Sequence, residues 1–480
     1  MSGTGVAFIG FGVMLVMLAL RAPVGLAMLV VGAAGYIHLS SAQAFFAYMK
    51  TNAYHQFANY TLSVIPLFIL MGALAERAGI AASLFKAAER GFGRMRGGLA
   101  MAVIGACTAF GAICGSSVAT TATFGRAALP ELLKARYSGG LATATIAMGG
   151  TLGILIPPSV ILVVYAITTE QNIAKLFQAA LIPGLLAALF YCMTIAIVAR
   201  LRPEQAPEGI PSELEPASHP AWIRLLAAAL LLAAGAAYLS GHLGLWSAAG
   251  LAGLGLAIAI VDAAIMPAMT IAIIVVGGIY GGVFTPTEGA AVGAIAMLGV
   301  GLANRSLSAG DILLAVRQTA ETSGMIFIIL LGAEIFGAFL ALSRLPTQAA
   351  EMIGSSGLSP TLVLAGMMVF YILLGAVMDE LAMILLTLPV FFPIVQALDF
   401  GMLPDEVAIW FGILVLIVVG IGLTMPPIGL NVFVISSLAR TVPIKAIYIG
   451  VMPFLVADFI RLGLVLAFPS LTLWLVRLLQ

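Results

Sequence analysis

Two uncharged apolar stretches of equal length, 137–169 and 407–439, each contain a pair of adjacent prolines near the middle. The pairs are Pro157 with Pro158 and Pro426 with Pro427. A proline inside a helix donates no backbone hydrogen bond, and its ring clashes with the carbonyl four residues earlier. Hydrocarbon supplies no water to the freed carbonyls, so such a break is tolerated only where it packs in protein or lines a cavity. Broken helices at corresponding places in two halves of a chain predict a transporter binding site.

The freed carbonyls are predicted to be those of Gly153, Ile154, Gly422 and Leu423. A straight helix needs about 20 residues to cross a bilayer and two crossings need about 40, so each stretch has an intermediate length. One interpretation is a half-helix, an unwound middle and a second half-helix. The other is one long helix that tilts and kinks at its prolines while its neighbours satisfy the freed groups. The glycines before both pairs favour the unwound form.

The rest of the chain is apolar enough to stay in the bilayer. Of 480 residues, 62% are hydrophobic and 9% are charged, so runs that can cross a hydrocarbon core of about 30 Å recur along the sequence. This predicts an all-α polytopic membrane protein that is embedded in the lipid bilayer. A net charge of +1 without a basic tail gives no electrostatic basis for binding nucleic acid. The scattered cysteines and histidines predict no transition-metal site.

A polar stretch rich in proline and glutamate divides the chain into two halves. The predicted order is a first half, a linker, connecting helices and a second half, at 1–200, 201–221, 222–305 and 306–480. Each half is predicted to contain a re-entrant helical hairpin followed by a broken helix, at 97–125 with 137–169 and at 360–397 with 405–439. If the halves are inverted repeats, the hairpin tips and the unwound loops meet near the bilayer midplane.

Both hairpins contain polar residues in otherwise apolar surroundings. Ser116, Ser117 and Thr120 belong to the first hairpin, where packing between helices is an alternative explanation for small hydroxyl residues. Asp379 in the second lies far from the flanking charges, and an acid inside the membrane usually marks an ion or substrate path. Hydroxyl and carbonyl oxygens suit hard cations, and so few carboxylates favour sodium over a divalent ion. The positive ends of half-helices could hold an anionic substrate.

A third motif, TPTEG, begins at Thr285 and continues with Pro286, Thr287 and Glu288. A threonine three residues before a glutamate predicts a capping box, with proline at the first helical position. The motif therefore has a structural interpretation. A role for Thr285 or Glu288 in ion binding is the alternative.

Five segments together resemble one known family. They are CGSSVATTATFG, LGILIPPSVILVVYAITTEQNIAKLFQAALIPG, GGIYGGVFTPTEGAAVGA, GAVMDELAMILLTLPVFFPI, and TMPPIGLNVFVISS followed by GVMPF. The chain resembles the large membrane (permease) subunit of the tripartite ATP-independent periplasmic (TRAP) transporters. The resemblance implies an elevator-type fold and sodium-coupled import of organic acid anions such as dicarboxylates, keto acids or sugar acids. It also implies a bacterial or archaeal inner-membrane location, with sodium as coupling ion and no other cofactor.

The same resemblance implies two partners, a small four-helix membrane subunit and a periplasmic substrate-binding protein. It also implies two groups of sodium ligands, Ser116, Ser117, Gly149 and Gly153 in the first half and Asp379, Gly420 and Thr424 in the second. Residues expected to contact substrate or shape the loops are Thr120, Arg126, Pro157, Pro158, Pro426, Pro427 and Asn431. Arg126 is the candidate contact for a substrate carboxylate, although a cation at a helix end can instead extend to the membrane interface.

Two other functions would fit some of these residues. An intramembrane enzyme could use Ser116 or Ser117 as nucleophile or Asp379 as acid, but an activated serine needs a base within reach. No histidine lies in either broken helix, so we expect that the chain is not an enzyme. A passive anion channel is the remaining alternative, and it would need no coupling ion.

Overall fold

The computed structural model describes residues 2–93, 95–207 and 266–479. These residues form helices and no strands, which confirms the predicted all-α class. Seven of the described helices are long and apolar enough to span a membrane, and one bent helix pair could form an eighth span. Most of the predicted linker and the first part of the predicted connecting helices lie outside the described residues.

The helices before residue 208 are α1 (Gly3–Ala19), α2 (Val24–Leu39), α3 (Ala42–Ala58), a 3-10 turn (Tyr60–Ser63), α4 (Val64–Arg77), α5 (Ile80–Phe92), α6 (Gly98–Cys114), α7 (Ser117–Ala127), α8 (Leu129–Lys134), α9 (Gly139–Leu155), α10 (Val160–Thr168) and α11 (Ile173–Leu201). Those after residue 265 are α12 (Met266–Tyr280), α13 (Pro286–Ala303), α14 (Ala309–Ser343), α15 (Leu345–Ser355), α16 (Pro360–Gly375), α17 (Glu380–Ala397), α18 (Pro404–Gly422), α19 (Leu430–Leu438), α20 (Ile444–Ala467) and α21 (Ser470–Leu478).

The order of elements is the same in both halves. A helical hairpin (α6–α7 or α16–α17) precedes a broken helix (α9–α10 or α18–α19), and a long helix (α11 or α20) follows. Both Pro-Pro pairs lie between helices, so the predicted unwinding is confirmed. The axes of α9 and α10 differ by 42°. The single kinked helix is therefore the wrong interpretation of these stretches.

The two broken helices form the centre of the protein. Every residue of α9 from Leu141 to Leu155 is buried, and so is every residue of α18 from Val407 to Gly422. A helix that is apolar on all sides is stable only when other elements surround it. Helix α9 packs against α6, α7, α18 and α20, while α18 also packs against α11, α16 and α17. The first break consequently lies in protein, whereas Pro427 and Ile428 of the second break are exposed at the surface of the chain.

A second group of helices flanks this centre. Helix α2 packs along α14, and α4 packs against α13 and α14. At Gly32 the backbones of α2 and α14 approach so closely that a Cβ there would lie 2.7 Å from the backbone nitrogen of Phe336. Close backbone approach at small residues is a usual way for helices to associate in lipid. Helix α4 also contacts α6 and α10, so it joins the flanking group to the first half of the centre.

The described beginning of the predicted linker returns to the centre. After α11 the chain turns at 202–207, and the carbonyl of Gln205 accepts a hydrogen bond from the Ser138 N–H at 2.9 Å. The Ser138 side chain in turn accepts from the Leu141 N–H at 3.2 Å and caps α9. The start of the first broken helix is thereby fixed to the end of the first half.

Candidate ion and substrate site

The tip of the first hairpin lies against the break in α9. Ser116 is the N-cap of α7, and its Oγ accepts a hydrogen bond from the Ala119 N–H at 3.4 Å. Its carbonyl accepts from the Thr120 hydroxyl at 2.7 Å. A Cβ at Gly153 would lie 2.7 Å from that same carbonyl oxygen. The predicted residues Ser116, Thr120 and Gly153 are thus brought together, and the absence of a side chain at 153 permits the contact.

Gly115 holds this tip on the Pro-Pro segment. Its φ is +63°, a conformation in which side chains are strained, and a Cβ there would lie 2.8 Å from the carbonyl oxygen of Pro158. Glycine is therefore required at 115 both by the backbone turn and by the space available. The tip of the hairpin therefore contacts the backbone of the break, which contains Pro157 and Pro158.

Asn431 joins the two halves of the chain. Its side-chain Nδ2 donates to the Ser117 Oγ at 2.7 Å and to the Ala147 carbonyl at 3.1 Å, and all three side chains are fully buried. Its backbone N–H donates at 3.0 Å to the carbonyl of Leu423, one of the carbonyls that the prolines were predicted to free. The Asn431 Oδ1 is buried without a hydrogen-bond partner among the described residues. One acceptor oxygen is thus available at the junction of the halves.

The second hairpin meets the second broken helix in a similar way. A Cβ at Gly422 would lie 2.7 Å from the Cα of Gly375, at the end of α16. Thr424 is fully buried just beyond α18, and its hydroxyl lies 3.3 Å from the Gly420 carbonyl and 3.1 Å from the Ile421 carbonyl. A threonine hydroxyl and backbone carbonyls therefore concentrate beside Pro426 and Pro427.

Asp379 caps α17. Its Oδ1 accepts hydrogen bonds from the N–H groups of Leu381 and Ala382, each at 3.1 Å. Asp379 thus occupies the position in the second hairpin that Ser116 occupies in the first, the N-cap after the tip. Sequence reasoning considered Asp379 as an ion ligand or as an acid and did not predict the cap, because a lone acid in an apolar run does not indicate which backbone groups it will reach.

Two predicted glycines lie in different surroundings. A Cβ at Gly149 would lie 2.8 Å from the Cys107 Sγ, so Gly149 faces α6 and not the hairpin tip. Gly150, which the sequence reasoning did not select, faces α7 instead, and a Cβ there would lie 3.1 Å from the Ser117 carbonyl oxygen. Gly420 faces the first broken helix, where its Cβ would lie 3.7 Å from the Cβ of Thr151.

Arg126 forms an ion pair within the chain. Its Nη2 lies 2.6 Å from the Glu76 Oε1 at the end of α4, and the Arg126 side chain is 57% exposed. The residue chosen as a contact for a substrate carboxylate already has a carboxylate partner from the flanking group of helices. Sequence reasoning did not select Glu76, since nothing in the sequence indicates a contact across 50 positions.

A cavity of about 120 Å³ lies beside the first hairpin tip. Residues of α4, α10, α14 and both hairpins line it. Its polar side chains are those of Glu76, Ser116, Gln318, Thr322 and Glu380. Concave sites with a few convergent polar groups are the usual form of small-molecule sites. Ser116 belongs to both the cavity and the hairpin tip, so the two are continuous.

The TPTEG motif is a helix cap. The Thr285 Oγ1 accepts from the Glu288 N–H at 3.3 Å, and the Glu288 carboxylate accepts from the Thr285 N–H at 2.8 Å. Pro286 is the first residue of α13, and Thr287 is buried behind it. The predicted capping box is confirmed, and the side chains of Thr285 and Glu288 are directed to each other's backbone.

A buried charge network behind the site was missed. Asp458 and Arg461 of α20 form an ion pair of 2.8 Å with exposures of 1% and 0%. The Tyr191 hydroxyl of α11 lies 2.9 and 2.8 Å from the two carboxylate oxygens of Asp458 and 3.1 Å from the Thr151 hydroxyl. Opposite charges three residues apart in an apolar segment, VADFIRLG, were the available sequence signal. The network ends at Thr151, between Gly149 and Gly153.

Among the residues that the structure describes, no three His, Cys, Asp or Glu side chains cluster as metal ligands would. The available oxygens at the breaks instead come from hydroxyls, amides and backbone carbonyls. Broken helices that meet hairpin tips beside a polar cavity, all inside a helical membrane protein, define the class of membrane transporters.

The family follows from sequence. Residues 11–471 match the family described as tripartite ATP-independent periplasmic transporter, DctM component. The chain therefore belongs to the DctM family and is the large permease subunit of a substrate-specific TRAP transporter, not an enzyme. The resemblance noted from the motifs is confirmed. Within this family the large subunit works with a small membrane subunit and a periplasmic binding protein.

Two relatives agree with this assignment, and one solved structure shares the fold. The C4-dicarboxylate TRAP transporter large permease protein DctM of Pseudomonas aeruginosa is 32% identical over 416 residues, 86% of each chain. The ectoine TRAP transporter large permease protein TeaC of Halomonas elongata is 28% identical over 416 residues, again 86% of each chain. The YdaH transporter of Alcanivorax borkumensis aligns with a TM-score of 0.59 and 15% identity over 88% of each chain, a likeness that shows the fold alone.

Proposed function

We propose that this subunit imports an organic acid by sodium symport. The observation that carries the proposal is that oxygen atoms concentrate where each hairpin meets its own broken helix. Asn431 makes the junction through its hydrogen bond to Ser117. Oxygen ligands of this kind suit a hard monovalent cation. A passive channel would need no coupling ion.

Two sodium sites are proposed, one at each break. The first uses the tip around Ser116 and Ser117 with the α9 backbone near Gly153, and the second uses Thr424 with the Gly420 carbonyl. Asp379 would act through its charge and by fixing the start of α17. Because Asn431 connects the second break to the first hairpin, occupation of one site would order the other.

The substrate is proposed to bind in the cavity that shares Ser116 with the first tip. Sodium at the tip would fix one wall of this cavity, so the occupied site would bind the substrate more tightly. The named substrates of the relatives, C4-dicarboxylates and ectoine, differ, so the site must vary within one fold. An organic acid such as a dicarboxylate, keto acid or sugar acid is the proposed cargo.

Movement is proposed to follow an elevator scheme with inverted repeats. The hairpins and broken helices would move as one body against the flanking helices α2, α4, α13 and α14. The cavity is lined by both groups of helices, as alternating access requires of a site at their boundary. The exposed Arg126–Glu76 pair crosses the same boundary and would have to separate during movement. The setting is proposed to be the bacterial inner membrane, with a four-helix small subunit and a binding protein that delivers the solute.

The test is uptake into proteoliposomes that contain the complete transporter, with and without an inward sodium gradient. We expect Ser116→Ala and Asp379→Ala to abolish sodium-dependent uptake. Asp379→Asn separates charge from capping, because asparagine also caps helices well. Matched controls are Ser41→Ala and Asp311→Ala, which remove cap residues of α3 and α14 away from the site. Wild-type uptake by folded Ser116→Ala and Asp379→Ala would refute the sodium sites, and gradient-independent wild-type flux would indicate a channel.

A further inference from the structure

We propose that Glu380 recognises a positively charged nitrogen on the transported acid. The inference rests on the proposed function, because it takes the cavity beside the first hairpin tip as the substrate site. It narrows the cargo from organic acids in general to acids that also carry an ammonium or amidinium group.

The first observation is the state of the Glu380 carboxylate. Glu380 is the first residue of α17 and lines the cavity. Its Oε2 is buried, and no described residue makes a hydrogen bond to it. Asp379, the neighbouring acid, is used as the helix cap. The two adjacent acids thus have different surroundings, and the one that lines the cavity has a buried oxygen without a partner among the described residues.

The second observation is the charge of the cavity wall. Glu76 and Glu380 both line it, whereas lysine, arginine and histidine are absent from the described lining residues. Glu76 is neutralised by Arg126 at 2.6 Å, and Glu380 has no such counter-ion. The Ser116 Oγ accepts a hydrogen bond from Ala119, and the Gln318 Oε1 lies 3.4 Å from Arg77. Among the described residues, Glu380 is therefore the acidic group of the cavity that lacks a counter-ion.

An unpaired carboxylate away from water is unfavourable, and an opposite charge brought by the ligand offsets that cost. A second acidic group on the ligand would instead be repelled. An ammonium group is a suitable partner for the Glu380 carboxylate, since it offers a full positive charge and several hydrogen-bond donors in a compact shape. Electrostatic complementarity of this kind discriminates between solutes of similar size.

The size of the cavity limits what part of the substrate enters. An engineered protein cavity of about 150 Å³ binds benzene, which has six carbon atoms. At about 120 Å³, this cavity holds roughly five non-hydrogen atoms by the same comparison. That is enough for an ammonium group with its first carbons. The acid group of a longer solute would lie outside this volume.

The experiment measures ligand-induced shifts in the thermal unfolding of the purified full-length chain in detergent. The probes are succinate, a dianion, and β-alanine, a zwitterion, at equal concentration and matched ionic strength in sodium buffer. We expect β-alanine to stabilise the wild type at a concentration at least tenfold lower than succinate. Glu380→Gln should abolish that preference, and Glu351→Gln, which alters an exposed acid of α15, should retain it.

A second readout needs no ligand. Because Glu380→Gln removes a buried acid without a counter-ion among the described residues, its unfolding midpoint without ligand should lie at or above that of the wild type. Equal stabilisation of the wild type by both probes overturns the inference, and this result does not depend on how well the variant folds. An unchanged preference for β-alanine in Glu380→Gln also overturns it, whether or not succinate is a substrate. A sodium-specific shift over potassium is measured in parallel. If sodium stabilises the protein but β-alanine is not preferred, only this inference is refuted. If sodium does not stabilise the protein, the result counts against the proposed function.

Discussion

Separating the buried ion pair behind the site should destabilise the protein strongly. In Asp458→Leu the guanidinium of Arg461, which is fully buried, loses its only carboxylate partner among the described residues. Its Nε and Nη1 already lack hydrogen-bond partners in the described chain. Removing one member of a buried pair costs about 3–5 kcal/mol, because the other charge is left without compensation.

The geometry also predicts an asymmetry between the two single variants. In Arg461→Met, Asp458 keeps the Tyr191 hydroxyl within 2.9 Å of both carboxylate oxygens. A hydrogen bond to a charged group contributes about 1.5–3 kcal/mol, so this variant should lose less stability than Asp458→Leu. The double variant Asp458→Leu with Arg461→Met leaves no unpaired charge. It should be more stable than Asp458→Leu alone, as replacements of whole buried pairs often are.

The assay is a double-mutant cycle on detergent-solubilised protein, with the free energy of unfolding taken from titration with a denaturing detergent. The matched control is Glu321→Gln, which breaks a pair with Arg317 whose side chains are 65% and 73% exposed. An exposed pair contributes about 0–1 kcal/mol. A loss in Asp458→Leu no larger than in Glu321→Gln would refute the reasoning, as would losses that simply add in the double variant.

Two further predictions concern the backbone contacts of the site. Gly153→Ala places a Cβ 2.7 Å from the Ser116 carbonyl, so the sodium concentration for half-maximal uptake should rise at least tenfold, whereas Gly354→Ala, which meets nothing within 4 Å, should leave it unchanged. An unchanged sodium dependence in folded Gly153→Ala would place the ion elsewhere. Thr285→Ala removes the α13 cap and should cost about 0.5–2 kcal/mol of stability without altering sodium dependence, which thermal unfolding and uptake together would check. A changed sodium dependence would favour the ion-binding alternative for this motif.

Much of the fold could be predicted from rules that involve residues close together in the sequence. The unwinding at both Pro-Pro pairs follows from the hydrogen bonds that proline cannot make, and the TPTEG cap follows from a spacing of three residues. Both depend on atoms close together in sequence. The all-helical class follows from composition, because the backbone groups of a lipid-buried chain must satisfy one another.

Contacts between distant elements could not be obtained in this way. Asp379 and Glu380 are equivalent in sequence, and only the geometry at the start of α17 decides that the first caps the helix while the second faces the cavity. Likewise, the rotation of α9 determines that Gly150 rather than Gly149 faces Ser117. The partner of Arg126 depends on how α4 packs, which no periodicity in the sequence specifies.

The pair Asp458 and Arg461 is a different case. Its signal was present in the sequence, since opposite charges three residues apart lie on one face of a helix. The pair lies in α20, outside the hairpins and the breaks, where no functional residue was predicted. Any ionisable residue inside an apolar helix justifies a search for its partner.

The hydrogen bond between Asn431 and Ser117 has a consequence for the evolution of this chain. The Asn431 amide donates a hydrogen bond to the Ser117 hydroxyl of the opposite half, so a substitution at either position removes the partner of the other. Exchange of a whole half with a distant relative would replace one end of this bond and preserve the other. Chimaeras joined between the halves should therefore fail unless both parents carry serine at 117 and asparagine at 431.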